Sequence, residues 1–294
     1  MYKILDGKKT SEKLKNRIRD ELKKLALNNM PILGILQVGD LEESNIYIKH
    51  KLKAAHELGI STEFIKLSKR STQVEIIEAI QKLNEITTGF IVQLPMDASN
   101  KIDVDEILNK IPQIKDIDGL NDANQSSNYI SQIESFLPAT DLGILLLLKE
   151  YNIEFKNKTI GIVGQSKIVG RPLANYFEQL GLIVNRYDKN TPKNNMTNND
   201  IVIVATGTRN CLKDINLKNN VILVDVGIHR INNDIVGDVD INNIKTPISY
   251  LSPVPGGVGP MTIIGLILNL IKSYDIQNNK NLYENILRNY KKQF

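Results

Sequence analysis

The sequence predicts an α/β protein of two α/β domains separated by a cleft. Two series of short apolar runs alternating with helical segments lead to this prediction, and a polar, poorly periodic stretch over residues 113–138 lies between them. The chain has 294 residues, enough for two domains, and 41% apolar with 24% charged residues is typical of a globular protein. We expect residues 1–138 to form the first domain and residues 139–262 the second. Residues 263–294 are expected to form helices that pack back on the first domain.

The first series alternates helices with strands. The predicted strands are apolar runs bounded by turn residues, and they cover residues 31–39, 61–67 and 89–95. The predicted helices carry apolar residues at helical spacing, and they cover residues 8–27, 43–58 and 72–85. Gly59, a favoured residue at a helix C-terminus, follows the second of them. This order is typical of a parallel sheet with helices on both faces.

The second series begins after the polar stretch, which we interpret as an active-site loop that continues into the connection between the domains. A helix is predicted over residues 140–151, with Thr140 and Asp141 as candidate N-caps. Four strands follow, and they cover residues 158–164, 182–188, 200–206 and 220–227. Further helices are predicted over residues 171–181, 262–274 and 281–293.

A glycine-containing loop joins the first of these four strands to its helix. Free backbone amides and the helix dipole make such a loop a site for the pyrophosphate of a dinucleotide. Its spacing, Gly164 followed by Gly170 and Pro172, differs from G-x-G-x-x-G, so the motif alone predicts a simple βα turn equally well. Asp188 lies about 20 residues further on, where an acidic residue can bind a ribose hydroxyl. This layout favours a Rossmann-like, dinucleotide-binding second domain.

Small residues end the third and fourth strands of this series, namely Thr206, Gly207 and Gly227. They leave room for a ligand at the carboxyl ends of parallel strands, although each glycine alone is equally well explained as a turn residue. Residues 252–262 (SPVPGGVGPMT) contain three prolines and three glycines, which argues against a helix or a central strand. We expect a rigid loop that forms a wall of the cleft, with a helix beginning at Met261 or Thr262.

Tyr47 and Lys51 stand four residues apart in the predicted helix over residues 43–58, so their side chains project from nearly the same face. The pair is either a catalytic couple in a cleft or two side chains on a solvated surface. Judged from this helix alone, the solvated surface is the better interpretation.

Composition argues against several other classes of protein. The net charge of +4 is mild and no basic stripe with interleaved aromatic residues is visible, so we do not expect nucleic-acid binding. Cys211 is the only cysteine and the three histidines lack ligand spacing, so we expect neither a disulfide nor a metal site. The apolar run over residues 144–148 is too short to span a bilayer, and residues 1–10 do not resemble a signal peptide. We therefore expect a cytoplasmic protein that does not bind membranes, with an organelle matrix as the open alternative.

Eight segments, in this order, resemble the bifunctional methylenetetrahydrofolate dehydrogenase/cyclohydrolase family across nearly the whole chain. They are ILDGK, GDLEESNIYIKHK, GFIVQLP, KDIDGL, GIVGQSKIVGRP, DVGI, GDVD and PVPGGVGPMT. One segment could match by chance, whereas eight in register could hardly do so, and the last is highly specific. The resemblance implies oxidation of methylenetetrahydrofolate to methenyltetrahydrofolate with NADP, followed by hydrolysis to 10-formyltetrahydrofolate.

The resemblance also implies which residues act on the folate. Lys51 would be the general acid/base of the hydrolytic step, and Gln93 would hold it by a hydrogen bond without adding a charge. Tyr47 would stack on or orient the folate ring, and Asp118 would accept hydrogen bonds from the amino edge of the pterin. With the resemblance, Tyr47 and Lys51 are interpreted as a catalytic couple. The implied substrate-binding residues are Tyr47, Lys51, Gln93, Leu94, Pro95, Asp118, Pro255, Gly256 and Gly259.

Cofactor binding is implied for the glycine loop and the strand ends. The residues are Gly164, Gln165, Ser166, Ile168, Val169, Gly170, Arg171, Pro172, Asp188, Lys189, Thr191, Thr206, Gly207, Gly227, Ile228 and Thr262. NADP is expected because many relatives prefer it. Asp188 would instead repel a 2′-phosphate and suit NAD, although Arg186, Lys189 and Thr191 could compensate.

The chain departs from the family at the domain crossover, where PATDLG replaces the frequent P-C-T-P-x-G pattern and puts Ala139 and Asp141 at two of its places. Neither residue is expected to do chemistry. Two alternatives stay open: an NAD-dependent dehydrogenase without the hydrolytic step, and a noncatalytic folate- or nucleotide-binding protein. The presence of Lys51 argues against both. The resemblance further implies a role in purine biosynthesis and a homodimer, with a strand near residues 231–240 meeting its copy across the two-fold axis.

Overall fold

The computed structural model describes residues 2–26, 29–232 and 234–290. The helices are α1 (Gly7–Leu22), α2 (Glu42–Glu57), α3 (Gln73–Ile86), α4 (Val104–Leu108), α5 (Asp122–Gln125), α6 (Ala139–Glu150), α7 (Gly170–Gln179), α8 (Val258–Asn278) and α9 (Leu282–Leu287). The strands are β1 (Lys3–Ile4), β2 (Ile32–Val38), β3 (Ser61–Leu67), β4 (Gly89–Val92), β5 (Thr159–Val163), β6 (Ile183–Tyr187), β7 (Ile201–Val204), β8 (Val221–Asp225), β9 (His229–Ile231), β10 (Asp234–Val236) and β11 (Ile248–Leu251).

A parallel sheet in the order β3-β2-β4 forms the first domain. The central strand β2 is apolar and almost wholly buried, as is typical of a strand with neighbours on both sides and helices on both faces. The edge strand β3 is largely exposed. Helix α3, which packs on β2, begins with a capping box in which Thr72 and Glu75 each bind the other's backbone N–H. The predicted order of strands and helices is confirmed here.

A six-stranded parallel sheet in the order β1-β11-β8-β7-β5-β6 forms the second domain. Its central strands β5, β7 and β8 are almost wholly buried, which fits their continuous runs of Ile and Val. The four predicted strands are present, but β11 and β1 were not predicted. Strand β1, from the very start of the chain, pairs with β11 at Lys3 opposite Tyr250. The predicted strand near residues 231–240 contains β10, which pairs with β9 in an antiparallel hairpin.

Helices α6 and α8 pack against each other between the two sheets, and α1 packs on both. Two glycines permit this close approach, because a Cβ on Gly143 would strike the backbone of Met261 and one on Gly265 would strike the carbonyl of Ala139. Helix α9 packs on α1 and α8, so the predicted return of the C-terminal helices to the first domain is confirmed. Within the described ranges, no helix is both long and apolar enough to cross a membrane.

Several predicted helix ends were wrong, and the predicted end of the last helix, residue 293, lies outside the described residues. Helix α6 has Pro138 at its N-cap, so Thr140 and Asp141 lie inside its first turn and cap nothing. Helix α8 begins at Val258 rather than at Met261 or Thr262, because the first turn of a helix tolerates a proline such as Pro260. Helix α1 ends at Leu22, and residue 27, its predicted end, lies outside the described residues.

Candidate active site

Lys51 lies on the buried face of α2, in a position that an apolar residue would normally occupy. Ser44, Ile48 and Ala55 share that face at helical spacing, and only 8% of Lys51 is exposed. Tyr47, one turn earlier, lies at the border of this face and is 37% exposed. The helix therefore holds the amine in the interior and leaves the phenol ring open to the cleft.

The Lys51 amine is held by the end of strand β4. Its Nζ donates a hydrogen bond of 2.9 Å to Oε1 of Gln93, the residue immediately after that strand. Gln93 in turn donates from Nε2 to the Leu94 carbonyl at 2.6 Å, and this second bond fixes which end of the amide faces the lysine. The peptide between Leu94 and Pro95 is cis. The predicted hydrogen bond between Lys51 and Gln93 is thus confirmed.

Burial lowers the pKa of Lys51, and the nearby carboxylate of Asp118 opposes that shift. Burial likewise raises the pKa of Asp118, with the Lys51 charge acting in the opposite direction. Burial also raises the pKa of Tyr47, with a smaller contribution from Glu43. The site therefore favours a neutral amine at Lys51 while keeping a carboxyl group within reach of it.

The loop that carries Asp118 is shaped by its neighbour Asp116, which sequence reasoning missed. Asp116 pairs with Phe90 of β4, and this brings the loop beside the strand that ends at Gln93. The buried Asp116 carboxylate accepts hydrogen bonds from the backbone N–H of Gly119, at 3.1 Å, and of Asn121, at 2.9 Å. Burial raises the pKa of Asp116 to about 6. The K-D-I-D-G pattern, an aspartate ahead of a turn glycine, was the available signal.

Asp118 itself is half-buried, and within the described ranges its carboxylate accepts no hydrogen bond from the protein. Gly119, next to it, has a φ of +69° and lies against the Phe136 carbonyl, so a side chain there would be strained and would clash. The Asp118 oxygens are thus left without a hydrogen-bond donor from the described part of the protein.

The proline- and glycine-rich segment is the predicted wall of the cleft. The Gly256 carbonyl accepts a 2.9 Å hydrogen bond from the Lys8 amide, which ties this wall to the start of α1. Pro255 follows a cis peptide bond, and Gly259 lies in the first turn of α8. A Cβ on Gly259 would lie 3.9 Å from the Ile228 side chain, so residues predicted to bind folate and cofactor meet here.

Thr262, predicted to contact the cofactor, lies one turn into α8. Its hydroxyl donates to Oγ1 of Thr140 at 3.3 Å, across the contact between α8 and α6. The position of the Thr262 side chain therefore depends on α6, the helix that begins the second domain.

The predicted phosphate-binding loop has the shape that an anion site needs. Gly164 has a φ of +102° and lies against the Ala205 carbonyl, while Gly170 at the start of α7 lies against the Gly164 carbonyl. Neither position has room for a Cβ. Within the described chain, the backbone N–H groups of Gln165 and Ser166 donate to no protein acceptor. Free amides beside a helix N-terminus fit a pyrophosphate.

The remaining predicted residues of this loop differ in exposure. Ile168 and Arg171 are exposed, whereas Val169 and Pro172 are buried in the packing of α7. The two apolar buried residues therefore support the helix, and the exposed ones border the cleft.

The residues after β6 form a self-contained turn. Oδ1 of Asp188 accepts hydrogen bonds from the Asn190 and Thr191 amides, both at 2.8 Å, and from Thr191 Oγ1 at 2.7 Å. The bond from Thr191, first among several, lowers the pKa of Asp188. Arg186 is bound by both carboxylate oxygens of Glu178, at 2.9 and 2.7 Å. Arg186 is therefore engaged within the protein, while Lys189 is exposed beside Asp188.

Two buried aspartates lie beneath the ends of β7 and β8, and sequence reasoning assigned neither of them a role. Asp238 binds the turn at Thr206 and Gly207, and Asp225 accepts hydrogen bonds from the amides of Gly227 and Asp238, both at 3.0 Å. Burial raises the pKa of Asp225 to about 6. A side chain on Gly227 would strike the Asp238 carboxylate. The available signals were two segments of the family resemblance, D-V-G-I for Asp225 and G-D-V-D for Asp238.

Comparison with known proteins gives a consistent result over most of the chain. Residues 5–118 match the family described as tetrahydrofolate dehydrogenase/cyclohydrolase, catalytic domain, and residues 138–278 match its NAD(P)-binding domain. The chain is 48% identical over 277 residues to the bifunctional protein FolD of Metamycoplasma arthritidis, covering 94% of each chain.

Solved structures agree with that match. The bifunctional FolD methylenetetrahydrofolate dehydrogenase/cyclohydrolase of Campylobacter jejuni is 37% identical with a TM-score of 0.88, covering 94% of this chain and 100% of the other. The methylenetetrahydrofolate dehydrogenase-cyclohydrolase of Trypanosoma brucei, complexed with NADP and an inhibitor, is 25% identical with a TM-score of 0.86, covering 94% and 98%.

Proposed function

Because the chain belongs to the tetrahydrofolate dehydrogenase/cyclohydrolase family, we propose that it oxidises methylenetetrahydrofolate to methenyltetrahydrofolate with a nicotinamide dinucleotide and then hydrolyses that product to 10-formyltetrahydrofolate. The buried amine of Lys51, 2.9 Å from Gln93 and beside Asp118, carries this proposal. The hydrolytic step needs a base that is neutral near physiological pH, and burial of a lysine in a cleft supplies one.

In the hydrolytic step, Lys51 acts on the water that attacks the methenyl carbon. The neutral amine takes a proton from the water as its oxygen bonds to that carbon. The ammonium so formed returns the proton to the ring nitrogen as the carbon–nitrogen bond breaks, and the hydroxyl proton leaves to solvent. The formyl group then remains on the other nitrogen, and one proton is released overall. Gln93 keeps the amine in place through its neutral amide, which does not raise the pKa of Lys51.

In the oxidative step, the nicotinamide supplies the acceptor for the hydride that leaves the methylene carbon. The protein's part is to hold the folate. Tyr47 stacks on or orients its ring, and Asp118 accepts hydrogen bonds from the pterin's amino edge. Further contacts to the folate come from the two walls of the cleft, and they are Leu94, Pro95, Pro255, Gly256 and Gly259.

The second domain holds the dinucleotide. The free amides of Gln165 and Ser166 would hold its phosphates, and the strand ends would supply its remaining contacts. We infer NADP as the preferred cofactor, which is supported by the T. brucei relative solved with NADP and by the exposed ammonium of Lys189. Asp188 opposes that preference, so NAD is the competing cofactor.

We further propose that the catalytic domain ends at residue 138 and that the chain works as a cytoplasmic homodimer whose product serves purine biosynthesis. The order of the two matched family segments supports the domain boundary. Light scattering of the purified protein tests the dimer, because a mass of 33.1 kDa would show a monomer.

The decisive experiment follows methenyltetrahydrofolate absorbance while the purified protein oxidises methylenetetrahydrofolate with NADP or NAD. Reduction of a nicotinamide, with transient methenyltetrahydrofolate that then disappears faster than in buffer, is the expected result. Reduction without accelerated hydrolysis would leave a dehydrogenase alone. No reduction of either cofactor would leave a protein that only binds.

A further inference from the structure

Asp238 is a fully buried carboxylate beneath the turn that follows β7. Its Oδ2 accepts three hydrogen bonds, from Thr206 N at 2.7 Å, from Thr206 Oγ1 at 2.8 Å and from Gly207 N at 2.9 Å. Its Oδ1 lies 2.7 Å from Nε2 of His229, the first residue of β9. A carboxylate oxygen accepts, so the histidine nitrogen carries the proton.

These hydrogen bonds determine which donors of the turn are free to bind a ligand. The amides of Thr206 and Gly207 and the threonine hydroxyl all point at Asp238, so none of them is available to a ligand. Gly207 has a φ of +64° and faces open space. These groups of the turn therefore offer the cofactor no hydrogen-bond donor. Asp238 determines the conformation of the turn, and so the surface that the cofactor meets.

His229 connects the turn to a second predicted cofactor contact. It follows Ile228, which is 46% exposed and lies next to Gly259 on the opposite wall. Within the described ranges, His229 is the one hydrogen-bond donor to Oδ1 of Asp238. Loss of that donor would leave one oxygen of a buried carboxylate without a hydrogen bond, which costs free energy. We expect the backbone around Asp238 to shift in response.

We propose that His229 is a positioning residue for the nicotinamide dinucleotide: through Asp238 it holds the turn at Thr206 and Gly207 and the adjoining Ile228 in the arrangement that binds the cofactor. His229 touches neither the reacting atoms nor the folate. The inference rests on the proposed function of the second domain as the cofactor-binding domain.

The test compares the wild type with His229→Ala and His229→Gln by calorimetric titration of NADP and of NAD. Glutamine keeps an N–H that can reach Oδ1, whereas alanine removes it. His56→Ala is the matched control, because His56 is exposed at the far end of α2. The cyclohydrolase rate on methenyltetrahydrofolate, which consumes no dinucleotide, is measured for each variant as a check on the fold and the folate site.

His229→Ala is expected to weaken the binding of both dinucleotides roughly tenfold, the effect of one lost hydrogen bond to a charged group. His229→Gln should recover most of the affinity, and the cyclohydrolase rate should stay within about twofold of wild type in every variant. Unchanged affinity in His229→Ala, no rescue by glutamine, or a parallel loss of cyclohydrolase activity would each overturn the positioning role. A wild type that binds neither dinucleotide would instead refute the proposed function, and the role of His229 with it.

Discussion

Lys51 Nζ and Gln93 Oε1 lie 2.9 Å apart and join the buried face of α2 to the end of strand β4. Helix and strand are neighbours in the first domain, yet the two residues are 42 positions apart in the chain. The bond depends on an acceptor that carries no charge, which distinguishes this pair from a structural ion pair. It leaves the lysine anchored and still able to lose its proton.

Replacement of Lys51 by alanine should slow the hydrolytic step far more than the oxidative step. A positioned general base contributes roughly 10²- to 10⁴-fold, so the cyclohydrolase rate should fall by a factor in that range. The rates of methenyltetrahydrofolate decay and of NADP reduction are measured separately. His56→Ala, on the same helix but exposed, serves as the control and should leave both rates unchanged. A cyclohydrolase that survives in Lys51→Ala would remove Lys51 from the mechanism.

Gln93→Glu should shift the pH profile of the cyclohydrolase toward higher pH. A carboxylate in place of the amide favours the ammonium form of Lys51 and raises its pKa, so less neutral amine is present near neutral pH. The measurement is kcat against pH, in which the rise in rate marks the pKa of the base. A reduced rate with an unshifted profile would mean that Gln93 only supports the packing.

Asp118→Asn should shift the same profile in the opposite direction. The Asp118 carboxylate raises the pKa of Lys51 against the effect of burial, so its neutralisation lets that pKa fall further. The KM for the folate should rise as well, since the pterin's amino edge loses a charged acceptor. Opposite shifts in the two variants are the expected signature, and shifts in one direction would contradict it.

Asp116 should make the folded protein lose stability as the pH rises. Its pKa is raised by burial from 3.8 to about 6, so between these values the folded state binds more protons than the unfolded state. The contribution of Asp116 to the free energy of unfolding is therefore most favourable below that window and is lost as the pH rises to 6. Asp116→Asn removes this titration.

Urea unfolding at pH 4.5 and pH 7 measures the effect. The stability of Asp116→Asn relative to wild type should improve at the higher pH, by on the order of 2 kcal/mol, since one pKa unit corresponds to about 1.4 kcal/mol. The test compares how the difference in the free energy of unfolding between variant and wild type changes from one pH to the other. Any destabilisation by the asparagine that is independent of pH therefore cancels. An equal difference at both pH values would show that Asp116 ionises normally.

Asp188→Asn should improve the use of NADP and weaken the use of NAD. Asparagine keeps the Oδ1 acceptor for the Asn190 and Thr191 amides, so the turn survives while the negative charge disappears. A 2′-phosphate is repelled by that charge, whereas a ribose hydroxyl donates a hydrogen bond to it. The ratio of kcat/KM for the two cofactors is the measurement. If the ratio stays the same, Asp188 lies away from the ribose.

Periodicity was enough to predict the order of the elements, because the strands of the parallel sheets are short apolar runs between turn residues. It failed at β1 and β11, which gain their strand partners only when distant parts of the chain meet. Two residues such as Lys3 and Ile4 carry no periodic signal at all. The error at the start of α8 has a different cause. Its first turn is rich in proline and glycine, and this composition predicted a loop.

The contact between Lys51 and Gln93 could be predicted because residue type and family resemblance agreed there. Their hydrogen bond followed from placing both on elements that the resemblance had already identified. Asp116, Asp225 and Asp238 were not predicted because each binds backbone amides, some in its own loop and some in a distant one, rather than a ligand. No spacing rule in a single sequence shows which amide a buried carboxylate will meet.

The pairing of β1 with β11 has an evolutionary consequence. A gene split at residue 138 would separate an edge strand from its sheet, and would also separate α1 from α8 and α9, which pack on it. Each fragment would expose apolar surface or an unpaired strand edge, and such edges promote aggregation. Substitutions within the cleft would leave these contacts intact, so they are the route by which we expect a lineage to lose one of the two reactions.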